Sequence, residues 1–341
     1  MAADGAPFIS SEATLIERQA AIASNLAASR RPLRWQGQGG IELVGEAFGS
    51  RHAERAVLLV SGRVETFLKY DELTDELLRN GYAVYRFDHR GQGLSGRLLA
   101  DRHKGHIDSY AAFIADLQQV IASISGNGHH RHLLLIAHSM GACISALALA
   151  ERHTTAITGA ALCSPMVRLK SGGLPHWAAM LWLNLWHLLW HLLQHWLKRA
   201  SGDSPYFRRG GPYRERPFDG NYISHSLIRY RLFRAMLAAH PEAQLGDPTL
   251  AWVARSFRAA ARVVTLASQI RTPLLVLEAG ADPLIDPRGI ARFCLRAPHC
   301  RYLRIDNARH ELLFESDPMR QQALQAIYRF FDHCCSGAHS P

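Results

Sequence analysis

The sequence lacks the features that mark a disulfide-stabilised, zinc-binding or secreted protein. Its six cysteines are scattered, and no two of them form a CxxC pair. Small disulfide scaffolds and structural zinc sites both need closely spaced cysteines, so neither class fits. The amino terminus shows neither a basic segment followed by an apolar run nor any other sign of a secretory signal. We therefore expect a cytoplasmic location. Cys143 and Cys163 are expected to be core thiols, because both lie in apolar runs.

Lysine is scarce, although the chain is basic. Only four of the 39 basic residues are lysines, so arginine carries almost all of the net charge of +10. A basic balance suits nucleic acid, an anionic membrane surface or simple solubility. No motif of the usual DNA- or RNA-reading kinds is present. We therefore expect no nucleic-acid partner, and the sequence leaves the oligomeric state open.

Short apolar runs alternate with helix-like stretches along most of the chain. Residues 56–60 and 133–137 are apolar throughout, as is typical of strands buried on both faces of a parallel sheet. The alternation stops at Pro165 and resumes at Pro273. This predicts an α/β protein with a mostly parallel central sheet flanked by helices and interrupted by a helical cap. The predicted division is a core of residues 1–165 and 263–341, and a cap of residues 166–262.

The strongest chemical signal lies around Ser139. Residues 137–141 read Ala-His-Ser-Met-Gly, between an apolar run and a stretch rich in small residues. This resembles the G-x-S-x-G nucleophile elbow, in which a strained turn between strand and helix presents the serine hydroxyl. Ala137 replaces the first glycine, but its small side chain still allows strand and helix to pack closely. Ser139 is therefore predicted to be a nucleophile, and an ordinary serine in a turn is the alternative.

A serine nucleophile of this type needs an acid and then a histidine later in the chain. Asp282 lies in the loop after the apolar run 273–278, and His310 follows the last predicted strand. Asp286 competes for the role of the acid, although a position at a helix N-terminus also explains it. We prefer Asp282 as the acid and predict His310 as the base.

Backbone amides would bind the oxyanion that forms when the serine attacks. The N–H of Met140 lies at the start of the predicted helix, where amides are unpaired. A second donor is expected from the loop after residues 56–60, where Gly62 lets the backbone turn closely. This predicts the Arg63 N–H as the second donor.

Several segments resemble the lysophospholipase L2 and monoacylglycerol lipase branch of the α/β-hydrolases. The resemblance covers most of the chain, from about residue 50 to 332. The core segments that carry it include the elbow and the predicted base: 61–70, 87–96, 138–141 and 309–315. The cap segments that carry it look most like lysophospholipase L2: 221–226, 229–230 and 252–253.

This resemblance implies hydrolysis of the acyl ester of a lysophospholipid or a monoacylglycerol through an acyl-enzyme. It implies no cofactor and no metal, and residues 87–96 are expected to be structural. A soluble carboxylesterase or peptidase of the same fold is the first alternative, because fold does not fix substrate. A non-catalytic membrane-binding protein is the second alternative. Such a protein would have a broken catalytic triad, the set of nucleophile, base and acid predicted here as Ser139, His310 and Asp282.

The cap contains a stretch, residues 171–197, with no Asp, Glu, Lys or Arg. Residues 177–197 are long enough to span a bilayer. A single span, however, would put Ser139 and His310 on opposite sides of the membrane. Polar residues also recur at steps of three or four, as on one stripe of a helix: Asn184, His187, His191, Gln194 or His195, and Lys198.

We therefore predict an amphipathic helix that lies in an anionic membrane surface, on the inner face of the membrane. A basic stretch that follows the helix favours this interpretation: Lys198, Arg199, Arg208, Arg209, Arg214 and Arg216. A cap helix buried against the core is the alternative. Histidines at this spacing without carboxylate partners do not predict a metal site.

Overall fold

The structure is a computed structural model that describes residues 6–126, 129–151, 156–196 and 204–337. Eight strands form one sheet in this part of the chain: β1 (Arg31–Gln36), β2 (Glu42–Phe48), β3 (Arg55–Val60), β4 (Ala83–Phe87), β5 (His132–His138), β6 (Ile157–Cys163), β7 (Leu274–Ala279) and β8 (Cys300–Ile305). The helices that accompany them are α1 (Glu12–Ser29), α2 (Asp71–Arg79), α3 (Tyr110–Gly126), α4 (Ser139–Ala150), α5 (His176–Trp196), α6 (Leu227–Ala239), α7 (Leu250–Leu266), α8 (Pro287–Arg296) and α9 (Asp317–Cys335).

The sheet is mostly parallel, as the sequence predicts. Its strand order is β1-β2-β4-β3-β5-β6-β7-β8. Strands β1 and β2 pair antiparallel at one edge, and β2 pairs antiparallel with β4. Every later pairing, from β4–β3 to β7–β8, is parallel. The carboxyl ends of the parallel strands therefore meet at one edge, where loops can bring distant side chains together.

Residues 56–60 of β3 and 133–137 of β5 are all apolar because both faces of these central strands are buried. In β3, Leu58 belongs to the core cluster on one face, whereas Val57 and Leu59 belong to the cluster on the other. In the neighbouring strand β5, Leu135 and Leu134 divide between the same two clusters. The predicted core thiols Cys143 and Cys163 are both fully buried.

Helices α5, α6 and α7 lie between β6 and β7, where the sequence predicts the cap. Helix α6 is held to the core by Arg229, whose guanidinium donates to both carboxylate oxygens of Glu72 at 2.9 Å. The same guanidinium donates to Asp317 Oδ1 at 3.0 Å. Helix α7 continues past residue 262, and the division into core and cap at that residue stays a prediction.

Helix α5 buries only a narrow strip of its surface. Ala179 and Leu183 pack against Val253 and Phe257 of α7 and their neighbours. The rest of the described helix exposes large apolar side chains, each about half or more accessible: Trp177, Leu181, Trp182, Leu185, Trp186, Leu188, Leu189 and Leu192.

The predicted polar stripe of this helix is described only at Asn184. This residue is half-buried, and its Oδ1 has no hydrogen-bond partner within the described part of the chain. The stripe therefore begins beside the buried strip rather than on the outer face. The side chains of the other predicted members lie outside the described residues.

Candidate active site

Ser139 stands at the sharp turn between β5 and α4. Its φ of 50° lies in the left-handed region, which non-glycine residues rarely adopt. Two residues on, a Cβ at Gly141 would lie 2.3 Å from the Ser61 carbonyl oxygen, so only glycine fits. Two residues before, Ala137 is fully buried between β3 and β6, which explains why a small side chain suffices there. The elbow predicted from the sequence is thus present as backbone geometry.

Three predicted side chains come together above the carboxyl ends of the strands. His310 Nε2 lies 2.9 Å from Ser139 Oγ, and His310 Nδ1 lies 2.7 Å from Asp282 Oδ2. These distances are those of hydrogen bonds. The histidine therefore connects the serine to the carboxylate in the order that nucleophilic catalysis requires.

Asp282 is held in its ionised form. Burial disfavours the charge, but His310 and the backbone N–H groups of Leu284 and Ile285 lower the pKa of its carboxyl below the usual value. Those amides donate to Oδ1 at 2.8 and 3.1 Å, which leaves Oδ2 for His310. The loop after β7 thus fixes the orientation of the carboxylate.

The competing acid, Asp286, lies elsewhere. It caps α8 by accepting from the Arg288 N–H at 3.0 Å, and Arg168 Nε donates to it at 2.8 Å. The hydrogen bonds from Arg288, followed by those from Arg168, lower the pKa of its carboxyl to about 2. Asp282, and not Asp286, is therefore the carboxylate that contacts His310.

The predicted oxyanion loop lies against the serine. A Cβ on Gly62 would lie 3.3 Å from Ser139 Cβ, so glycine permits this approach. The Gly62 N–H donates to Glu65 Oε2, which leaves the next amide, that of Arg63, as the candidate donor. Val64 follows with a φ of 65°, an outlier for a β-branched residue. Met140, the other predicted donor, is buried in the first turn of α4.

A buried charged cluster lies next to the elbow and was not predicted from the sequence. Glu65 accepts from Lys69 Nζ at 2.7 Å and from Tyr70 Oη at 2.8 Å, and Lys69 also pairs with Glu311 at 2.8 Å. His138 joins this cluster because its Nδ1 lies 3.1 Å from Glu65 Oε2. The available signal was the position of His138 directly before the serine and of Glu65 within segment 61–70.

His138 also supports His310. Its Nε2 lies 3.2 Å from the His310 carbonyl oxygen, which Ser164 Oγ also approaches, at 2.7 Å. Both nitrogens of His138 thus face acceptors, and both can donate only in the protonated ring. Burial alone would lower its pKa, but the charge and hydrogen bond of Glu65 outweigh burial and raise it. We infer that a buried imidazolium helps to fix the backbone of His310.

Residues 87–96 hold the oxyanion loop in place. The buried carboxylate of Asp88 accepts from Thr66 Oγ1 at 2.8 Å and from the Phe67 N–H at 2.7 Å. Gln92 Nε2 donates to the Gly62 carbonyl at 2.7 Å. At Gly93, with a φ of 56°, any Cβ would collide with the Asp88 carboxylate. These contacts agree with the structural role predicted for this segment.

A cavity of about 520 Å³ opens above the serine and extends under the cap. Ser139 and His310 line its base, and apolar side chains such as Met166 and Trp252 line part of its wall. Arg63 joins core and cap there, because its guanidinium donates to the Gly246 carbonyl at 2.7 Å. The volume lies in the range of small-molecule sites.

Comparison with known proteins defines the class. A soluble variant of monoglyceride lipase from Saccharomyces cerevisiae, in complex with a substrate analogue, superimposes with a TM-score of 0.65 at 20% identity. The match covers 89% of this chain and 94% of that one. With its eight-stranded sheet and flanking helices, the chain has the α/β-hydrolase fold, as predicted.

Residues 51–317, more than half of the chain, match the model of the serine aminopeptidase S33 family. The chain belongs to this family of serine hydrolases. It is 37% identical to lysophospholipase L2 of Escherichia coli K12 over 297 residues, which cover 84% of this chain and 82% of that protein. It is 29% identical to a probable lysophospholipase L2 of Haemophilus influenzae, over 82% and 84% of the two chains. The predicted resemblance is therefore confirmed.

Proposed function

We propose that this enzyme hydrolyses the acyl ester of lysophospholipids, with Ser139 as nucleophile, His310 as base and Asp282 as the acid. The observation that carries the proposal is the pair of hydrogen bonds that joins His310 to both other side chains. The substrate class is supported by the names of the relatives with which most of the chain aligns.

The proposed reaction begins when His310 Nε2 takes the proton of Ser139 Oγ and the oxygen attacks the ester carbonyl. Asp282 keeps the proton of His310 on Nδ1 and stabilises the imidazolium that forms. The N–H groups of Arg63 and Met140 donate to the tetrahedral oxyanion, where one donor is typically worth about 10²–10³ in rate.

Collapse of the tetrahedral intermediate breaks the ester bond, and His310 returns its proton to the leaving glycerophospho-alcohol. An acyl group then remains on Ser139. A water molecule, activated by His310, attacks the acyl-enzyme and releases a fatty acid. The proposed cycle uses the same base twice and needs no cofactor.

Monoacylglycerols are the second candidate substrate, since relatives of this chain also carry the name monoglyceride lipase. A soluble carboxylesterase or peptidase remains the alternative within the fold. A purely membrane-binding protein is disfavoured. Such a protein would have a broken triad, whereas His310 here contacts both Ser139 and Asp282.

The enzyme is further proposed to act as a peripheral protein at an anionic membrane surface, on the cytoplasmic side. The support is the exposed apolar face of α5, rich in Trp and Leu, on a chain of net charge +10. Within the described ranges, no helix is both long enough and apolar enough to cross a bilayer.

The experiment is fatty-acid release from micellar lysophosphatidylcholine and lysophosphatidylethanolamine, with monoacylglycerol assayed alongside. We expect release by the wild type and its loss in Ser139→Ala, because no other group would form the acyl-enzyme. Ser145→Ala is the matched control, since this buried serine lies on α4 away from the turn. Activity on short soluble esters alone would remove the lysophospholipase assignment and keep the serine hydrolase.

A further inference from the structure

The wall of the cavity formed mostly by the cap is rich in arginine. Among the residues that the structure describes, five arginines line the cavity, against three carboxylates. Two of those carboxylates, Glu65 and Glu311, are already bound to Lys69 at 2.7 and 2.8 Å. The five arginines are called the arginine wall here: Arg63, Arg209, Arg214, Arg216 and Arg234.

The only other carboxylate that lines the cavity, among the described residues, is Asp247. It accepts from the Gly211 N–H at 3.1 Å and lies 3.6 Å from Arg216. No carboxylate of the described chain pairs with Arg209 or Arg214. The arginine wall therefore carries a surplus of positive charge.

Two members of the arginine wall also have unused donors. The Nε atoms of Arg63 and Arg234 are buried, and neither has a hydrogen-bond partner among the described residues. A buried donor without an acceptor costs free energy, so an unpaired group of this kind points to a missing partner. An anion in the cavity would supply acceptors to both charged side chains.

We propose that the arginine wall binds the phosphate of the substrate head group while the acyl ester lies at Ser139. Guanidinium groups bind phosphate through paired, charge-assisted hydrogen bonds, which makes arginine suited to this role. The inference that this phosphate belongs to a lysophospholipid rests on the proposed function. The inference that the cavity binds a phosphate group does not.

The charges also predict a preference among head groups. The ammonium group of a head group such as choline could pair only with Asp247 among the described carboxylates beside the arginine wall. That carboxylate already accepts from the Gly211 N–H and lies near Arg216. Lysophosphatidylglycerol is therefore expected to react faster than lysophosphatidylcholine. Monoacylglycerol, which has no phosphate, is expected to react slowest of the three.

The test uses the full chain and an Arg209→Gln/Arg214→Gln double variant. Both side chains are exposed, so the variant is expected to fold. The control is Arg292→Gln/Arg329→Gln, which removes the same charge from exposed positions on α8 and α9. The readout is the ratio of kcat/KM for lysophosphatidylglycerol to that for monoacylglycerol of the same acyl chain, in dilute mixed micelles of neutral detergent.

We expect this ratio to fall roughly 10- to 100-fold in the double variant, the range for lost hydrogen bonds to a charged group. The control is expected to keep the wild-type ratio. An unchanged ratio in the double variant, or an equal fall in the control, would overturn the proposal.

A soluble probe separates the head-group site from lipid binding. Glycerol 3-phosphate is expected to compete with p-nitrophenyl butyrate in the wild type, with an inhibition constant at least about tenfold weaker in the double variant. Inhibition with no lysolipid hydrolysis would reject the proposed function and keep a site for free phosphates. Absence of inhibition at any concentration, together with equal rates on all lipids, would reject the arginine wall.

Discussion

At the scale of single residues, contact with His310 separates the two candidate acids. From the sequence, Asp282 is preferred because it lies in the loop just after a predicted strand, whereas an N-cap role also explains Asp286. Folding brings Asp282 to 2.7 Å from the histidine and leaves Asp286 with Arg288 and Arg168.

We therefore expect Asp282→Asn to lower kcat by about 10³–10⁴, because an amide favours the wrong tautomer of His310. Asp286→Asn should leave kcat unchanged, since Asn caps a helix as well as Asp does. Steady-state rates on a short ester measure both. The reverse pattern would transfer the role of the acid to Asp286.

His138 gives a prediction on pH. The pKa of its ring is raised above 6.5, because Glu65 outweighs burial. A raised pKa stabilises the fold below pH 6.5, and this contribution is lost as the pH rises through the folded-state pKa. The melting temperature of the wild type should therefore fall as the pH rises above 6.5.

In His138→Gln this part of the pH dependence should disappear. His299→Gln, at an exposed position outside the cluster, is the matched control and should follow the wild type. Thermal unfolding followed by circular dichroism across this pH range provides the measurement. Identical slopes for His138→Gln and the wild type would contradict a buried imidazolium.

Residues recognisable by local pattern could be predicted, and residues that act through distant contacts could not. Ser139 has a turn signature, whereas Glu65 and His138 meet across 73 positions of the chain. A lone glutamate in the loop after β3 does not reveal its partner. The structure places Ser139, His310 and Asp282 within hydrogen-bond distance of one another in that order, and their catalytic roles stay predictions.

At the scale of elements, the central strands β3 and β5 are predictable because burial on both faces favours an uninterrupted apolar run, at residues 56–60 and 133–137. Helix α5 was harder, since an apolar helix can be buried in a protein or lie in a membrane surface. Its described face leaves Trp182 and Trp186 stacked at 6.1 Å and about half exposed. This exposure favours the surface interpretation.

We expect the wild type to sediment with phosphatidylglycerol vesicles and a Trp182→Gln/Trp186→Gln variant to bind at least about tenfold more weakly, through lost apolar burial. An Ile16→Gln/Leu295→Gln variant removes exposed apolar side chains of α1 and α8 and should bind as the wild type does. Equal binding by all three proteins would refute a membrane-facing α5.

At the scale of the whole molecule, the site forms where the cap meets the core. Arg229 fixes α6 to the core, and Arg309 Nη1 donates to the carbonyls of Asn221 and Ser224 beside the base, at 2.7 and 3.1 Å. Segments 221–226 and 229–230, which carry part of the resemblance to lysophospholipase L2, thus attach the cap to the core. The sequence could indicate that these segments matter, but only the fold shows which surfaces they join.

The central claim is that Ser139 is the nucleophile of a lysophospholipid hydrolase, and covalent labelling tests it most directly. A fluorophosphonate is added to the folded protein with and without lysophosphatidylethanolamine, and the modified peptide is identified by mass spectrometry. We predict a single label, on Ser139, which the lysophospholipid prevents by occupying the same site. A label on another serine, or a label on Ser139 that the lysophospholipid does not prevent, would contradict the account.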